Sequence, residues 1–398
     1  MKQTFPPRSL PLFALALAPL AVGCGDPGGT CTTPRDLAML GGSNPVTLTA
    51  ACSPYDLSVE TSFSGGLTIE AGVAIEFAPG TSLHVNGPGG LVAQGTAQAP
   101  VVLRAKGAAP WRVVTTADSG SDQAPARLEL HHVRVSGGGD HGEGLLQHNA
   151  STALLLDDVV FSQSRGHGLE VFGPLAPASA GVRVESPALA AVHLRQERLV
   201  ELPAITVDAA GMAREILVEG GAIAAGGTVR PQPVPIHVLG SLNVTRATTT
   251  IAGPNRVLIA PDESVSVGGS DDNTAGLVVE PGVTFDCAGA GCAWRGVSFH
   301  NHVSASSMTG TVIARALGGE LEEPSTTPST FYRAPINLTD VSEPMRFTFP
   351  TLTGIQFTNV PAATGANRRV VAVTSSTDNM PPGAYAALPM GAYWYHHP

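Results

Sequence analysis

Apolar and polar residues alternate along this chain in very short bursts. Examples are "LTI" (67–69), "IEF" (75–77), "LHV" (83–85), then "VLI" (257–259), "VSV" (265–267), "LVV" (277–279) and "VTF" (283–285). Apolar residues at every second position give an extended strand one buried face. Turn formers stand between the bursts: Ala-Gly, Ala-Pro-Gly, Asn-Gly-Pro-Gly-Gly. Hairpin folds are not assembled from strands this short and this closely spaced over hundreds of residues. A β-solenoid is, because each strand pairs with its counterpart one turn away, about 4.8 Å along the axis.

Two internal repeats sharpen the prediction. "IEFAPGTSLHV" (75–85) returns as "VLIAPDESVSV" (257–267), and "LTIEAGVAI" (67–75) matches "LVVEPGVTF" (277–285) position for position. Gly72 and Gly282 fall where the chain must turn and a Cβ would be crowded. Glu70 and Glu280 belong to the repeat framework and read as solvated strand ends.

The segment "GLTIEAGVAIEFAPGTSLHVNGPGGLVAQGTAQAPVVLRA" (66–105) resembles the opening coils of bacterial right-handed parallel β-helix proteins of the pectate-lyase-like group. "GTAQAPVVL" is similar to that group's recurrent Gly-Thr-Ala-x-x-Pro-apolar step. "LELHHVRVSGGG" (128–139) and "LLLDDVVFSQSRGHGLEVFG" (154–173) look like further coils. The resemblance is clearest over about 55–170, weaker over 180–310 and absent from roughly 320 onward. It implies an all-β fold: a right-handed parallel β-helix with irregular capping ends, of about ten to fourteen coils. Such a fold hosts many functions, so activity has to be argued from a site. The stretch 188–202 also fits a short amphipathic helix. The three prolines of "VRPQPVPI" (229–236) should interrupt the strand ladders, and "GGELEEPSTTPSTFYRAP" (318–335) reads as a projecting polar loop.

The N-terminus supplies an address. Lys2 and Arg8 precede an apolar run from Leu10 to Val22, too short to span a bilayer comfortably and proportioned like a secretory signal. "LAVG" before Cys24 resembles the lipobox of bacterial lipoproteins, although Ala21 stands where that family more often has Leu. The resemblance implies removal of residues 1–23 and acylation of Cys24; an ordinary secretory signal is the alternative. Residues 24–45 then form the lipid anchor and tether, 46–375 the β-helix, interrupted near 229–236 and 318–335, and 376–398 a tail or cap over the exposed strand edges. The other four cysteines are even in number, and an exported chain usually pairs them. Of three connectivities, neighbours are favoured: Cys31 with Cys52 and Cys287 with Cys292.

Charge excludes more than it suggests. Net charge is −10, reaching about −12 without the signal, and Lys106 is the sole lysine after Lys2. Nucleic-acid binding needs basic surface and is not expected. Hydrophobic residues at 43 % supply enough apolar surface to argue against a disordered chain.

Candidate chemistry is sparse. Asp157-Asp158 and Gly166-His167-Gly168 are similar to two catalytic motifs of polygalacturonases, where paired carboxylates activate water and protonate the leaving group. Their spacing is too short by about a coil, and the family's other motifs are missing. Asp271, Asp272 and Asn273 offer oxygens to Ca²⁺ but equally suit a solvated turn. His131 and His132, as strand neighbours, should point to opposite faces. Cys287, Cys292, His300 and His302 do not follow a standard zinc spacing. No catalytic residue, metal ligand or cofactor is therefore assigned. The expectation is a lipid-anchored cell-envelope protein, in the outer membrane and facing periplasm or surface. It would be a non-catalytic binding or display module with a polysaccharide or an envelope protein as partner, contacting the membrane through its N-terminal lipid. The alternatives are a carbohydrate-active enzyme of the pectate-lyase-like group and a purely structural envelope component. Exposed aromatics along one face, such as Trp111 or Trp294, would mark the binding rod.

Overall fold

The computed structural model describes residues 31, 35–118, 124–208, 215–268, 274–300, 302–317, 319–323, 330–339, 350–360, 371–373 and 393–394. The chain winds as a right-handed parallel β-helix, and each turn contributes two or three short strands to sheets that run along its length. One sheet is continuous: twelve parallel strands from Thr61–Phe63 to Gln356–Thr358, one per coil. A ten-stranded sheet from Val46–Leu48 to Thr206–Val207 wraps the rest of the N-terminal half. Beyond it, a five-stranded and a six-stranded sheet take over the two remaining faces.

The core is a column of aliphatic side chains stacked by register. Leu169 pairs with Val192, Val192 with Ile216 and Ile216 with Ile236, and all four are buried. Each strand of the pattern apolar-x-apolar turns its apolar pair inward and its middle residue out, as in Leu83–Asn86 and Ile236–Val238. Trp111 and Trp294 belong to this interior, both 0 % exposed. Trp111 stacks on Phe77 with ring centroids 4.3 Å apart. The indole N–H groups donate to Ser136 O at 2.9 Å and Ala314 O at 2.8 Å. These two tryptophans therefore do not form an aromatic face.

The repeated words describe a strand, a tight corner and a strand. At the corner Gly80 and Asp262 occupy equivalent left-handed positions, φ +69° and +61°, the region that favours Gly and tolerates Asp. The next coil docks on both in the same way: Gly80 N–H donates to Pro110 O and Asp262 N–H to Ala293 O. The two copies nonetheless lie on different faces. The first reaches the continuous sheet with its second triplet, in Leu83–Asn86, and the second copy lies on it with its first triplet, in Arg256–Ile259.

Several expectations are revised. The prolines of 229–236 do not break the ladder. They occupy the corner between Gly227–Val229 and Ile236–Val238, and the continuous sheet passes them unbroken. Within 188–202 the chain forms the strand Val192–Arg195 and a single 3₁₀ turn, Gln196–Arg198. Within 318–335 it forms an antiparallel hairpin, Gly319–Glu323 with Thr330–Ala334. Tyr393–Trp394, in the tail, pairs parallel with Val371–Val373. Both favoured disulfides are present, Cys31–Cys52 and Cys287–Cys292, with Sγ–Sγ distances of 2.04 and 2.07 Å. Cys24, the segment 1–23, Asp271, Asp272 and Asn273 lie outside the described residues.

Candidate functional site

Several ion pairs along the rod run between coils. Arg112 meets Glu143, and Arg256 and Arg315 both meet Asp286. Burial would push the Asp286 carboxyl up, but the hydrogen bonds from Arg315 and Arg256 outweigh it and hold the carboxyl below its usual range. His131 Nδ1 lies 3.1 Å from Asp157, and His132 Nδ1 2.7 Å from Asp158. Strict alternation would have separated His131 from His132. It fails here because Leu128–Ser136 bends at His132 (φ +47°), and Leu154–Ser162 bends at Asp158 (φ +53°). At such a corner the period restarts and both side chains remain outside.

Asp157 and Asp158 are thus taken up by histidines on the bent sheet, and the structure does not bring them to His167. His167 sits in the turn that enters the continuous sheet, where Ser164 Oγ donates to its carbonyl at 2.6 Å. Its neighbours are Glu170 and His193. Glu170 is the middle residue of Leu169–Val171, and register sets it directly beside His193 on the following strand. Both are middle residues of apolar-x-apolar triplets, so both leave the sheet on its outer side.

Glu170 is only 5 % exposed although it faces outward. Its Oε2 accepts the Gly144 N–H at 2.8 Å. Gly144 is needed there, since a Cβ would stand 2.8 Å from Glu170 Cγ. Oε1 lies 3.1 Å from His193 Nδ1, while His193 Nε2 lies 3.0 Å from Glu219 Oε1 on the next strand. Each ring nitrogen of His193 thus faces a carboxyl oxygen, a geometry that suits donation from both nitrogens. Burial lowers its pKa, but the bond to Glu170 and the charges of Glu219 and Glu170 outweigh that, and the net direction is up.

His167 behaves oppositely. Burial and then the charge of His193 push its pKa down, against Glu170, Glu215 and Glu219, and its Nδ1 accepts the Ala190 N–H at 3.2 Å. The two rings lie 4.7 Å apart, and Phe172 meets His193 edge-on at 5.3 Å. The result is a desolvated cluster of one carboxylate and two imidazoles on the outer wall, their pKa values pushed in opposite directions, with Glu219 behind. It can hold a cation or relay a proton.

Sequence reasoning found His167 and missed Glu170 and His193 as its partners. The signal was present in "GLEVFG" (168–173) and "AVHLRQ" (191–196): two outward polar residues, one coil apart. His300, also considered, lies with Nε2 2.8 Å from Ser266 Oγ, and Cys287 and Cys292 are joined to each other, leaving no thiolate for a metal. No family model, no curated protein and no solved structure matches this chain.

Proposed function

We propose that the chain is a lipid-anchored protein of the bacterial cell envelope whose β-helix is a non-catalytic module for display or binding, with a polysaccharide or an envelope protein as partner. The supporting observation is the continuous twelve-strand ladder, a stiff element about 50 Å long at the usual strand spacing. It begins a short stretch after "LAVGC" (20–24), the segment that resembles a lipobox. A rod on an acylated tether holds its sides and far end away from the bilayer, and several acyl chains make such an anchor stable. A second reading, a carbohydrate-active enzyme, draws on one observation: Glu170 is a buried carboxylate next to two imidazoles on an outer face.

Two measurements test the proposal. Intact chain is passed over a panel of bacterial and plant polysaccharides, and the mixtures are inspected by mass spectrometry. Retention without shortened or unsaturated products is the expected outcome for a glycan partner; products overturn the non-catalytic reading in favour of the enzyme. Metabolic labelling with a fatty acid should be lost in Cys24→Ser, and labelling that persists would refute the anchor.

A further inference from the structure

The outer-wall cluster has the composition of a metal site. One Glu170 oxygen, one His193 nitrogen and one His167 nitrogen all lie within 4.8 Å of one another. Ligands held tetrahedrally around zinc at about 2.0–2.2 Å stand roughly 3.3–3.5 Å apart. Glu170 Oε1 and His193 Nδ1, at 3.1 Å, are already near that separation. The His167 nitrogen, within 4.8 Å of both, has to close on them to complete the set.

We propose that His167, Glu170 and His193 form a binding site for a divalent transition-metal ion of the zinc class, with Glu219 holding His193 in the ligating orientation. Two imidazole nitrogens and one carboxylate oxygen suit zinc; magnesium and calcium prefer sets of oxygens. Glu170, Glu215 and Glu219 direct negative potential at His167, and Glu170 and Glu219 at His193. Glu219 stands where an orienting carboxylate belongs: a ligating histidine commonly donates its other ring N–H to such a group.

The proton balance is simple. Each His193 nitrogen faces one carboxylate, with a proton shared in each contact. An ion seated between Nδ1 and Glu170 takes the place of the Nδ1 proton, which leaves to solvent, and Nε2–H stays on Glu219. His167 ligates through one nitrogen and keeps its proton on the other. Either way, the 3.2 Å bond from Ala190 N–H to Nδ1 is given up; it is the longest in the cluster. Three protein ligands leave a fourth position for water. Buried walls around Glu170 and the Phe172 ring keep bulk water from the other ligands.

The site stands independently of the display reading. The test uses the intact chain in detergent, stripped with a chelator and titrated with Zn²⁺ by calorimetry and with Co²⁺ by visible absorption. One ion per chain is expected, with the ligand-field bands of tetrahedral or five-coordinate cobalt. Glu170→Gln and His193→Gln should abolish stoichiometric binding, and Glu219→Gln should weaken it about 10–100-fold. His84→Gln should leave it unchanged, because His84 lies three strands before Leu169–Val171 in the continuous sheet and pairs with Thr115 and Glu60. Circular dichroism identifies any variant that fails to fold, and the near-isosteric Glu170→Gln keeps the test decisive if His193→Gln does so. Absence of saturable binding by the wild type overturns the proposal, as does wild-type affinity in folded Glu170→Gln.

Discussion

His148 is an inward-facing imidazole in an otherwise aliphatic column, fully buried and yet fully satisfied. Nε2 donates to Pro174 O at 2.9 Å, and Nδ1 accepts the Thr116 hydroxyl at 2.8 Å. That arrangement satisfies the neutral ring. Burial, the dominant effect, lowers its pKa from 6.5 to about 4. As the pH falls, the unfolded chain therefore takes up the proton before the folded one does. The stability contributed by the neutral ring is complete above about pH 6.5 and is lost on the way down to about 4, in all about 3 kcal/mol. Denaturation midpoints measured from pH 7 to pH 4 should fall more steeply for the wild type than for His148→Gln. Nothing in "LQHN" (146–149) distinguishes this histidine from an exposed one. Its burial follows from which face of the strand turns inward, and one residue of slip would reverse it.

Strands and corners were legible wherever alternation and turn chemistry agreed, as in 67–85 and 256–268. The reading failed where a single residue reset the period. His132 and Asp158 are not glycine, so nothing in the local sequence announced their left-handed backbone or the bend it makes in each nine-residue strand. The corner glycines are more demanding. Gly90 has φ +80°, and a Cβ there would stand 2.0 Å from Arg127 O on the next coil. Gly90→Ala should therefore cost about 2–4 kcal/mol, from strained backbone and forced separation of two coils. Gly107→Ala, where a Cβ meets nothing within 4 Å, should be neutral in the same denaturation series.

Across the whole molecule, stability is propagated between neighbours. Each coil of the solenoid touches chiefly the coil before and the coil after, so a defect should remain local. Phe285 is buried between Val257 and Ile313 in the ladder. Phe285→Ala should cost about 3–5 kcal/mol. Hydrogen exchange should then accelerate in Arg256–Ile259 and Val312–Ala314 and stay unchanged in Leu67–Glu70. A uniform loss of protection would mean that the rod unfolds as one unit. The proposed metal site also belongs to this scale, because His167 and Glu170, His193, and the orienting Glu219 come from three successive coils.

The order of apolar, polar and turn residues was sufficient by itself to determine that this chain is a β-solenoid. A period of two in bursts too short for hairpins admits few other ways of burying its apolar face. The cysteines' even number allowed three pairings, of which near neighbours were favoured, and the structure has that one. Tertiary structure alone decided which face each repeat occupies, since the repeated words encode a corner and carry no record of rotation about the axis. It also decided that Trp111 and Trp294 fill the core, and that Glu170, His193 and Glu219 meet. Those three are brought together by coil-to-coil register, which depends on the length of every intervening turn. No short window of sequence contains that sum.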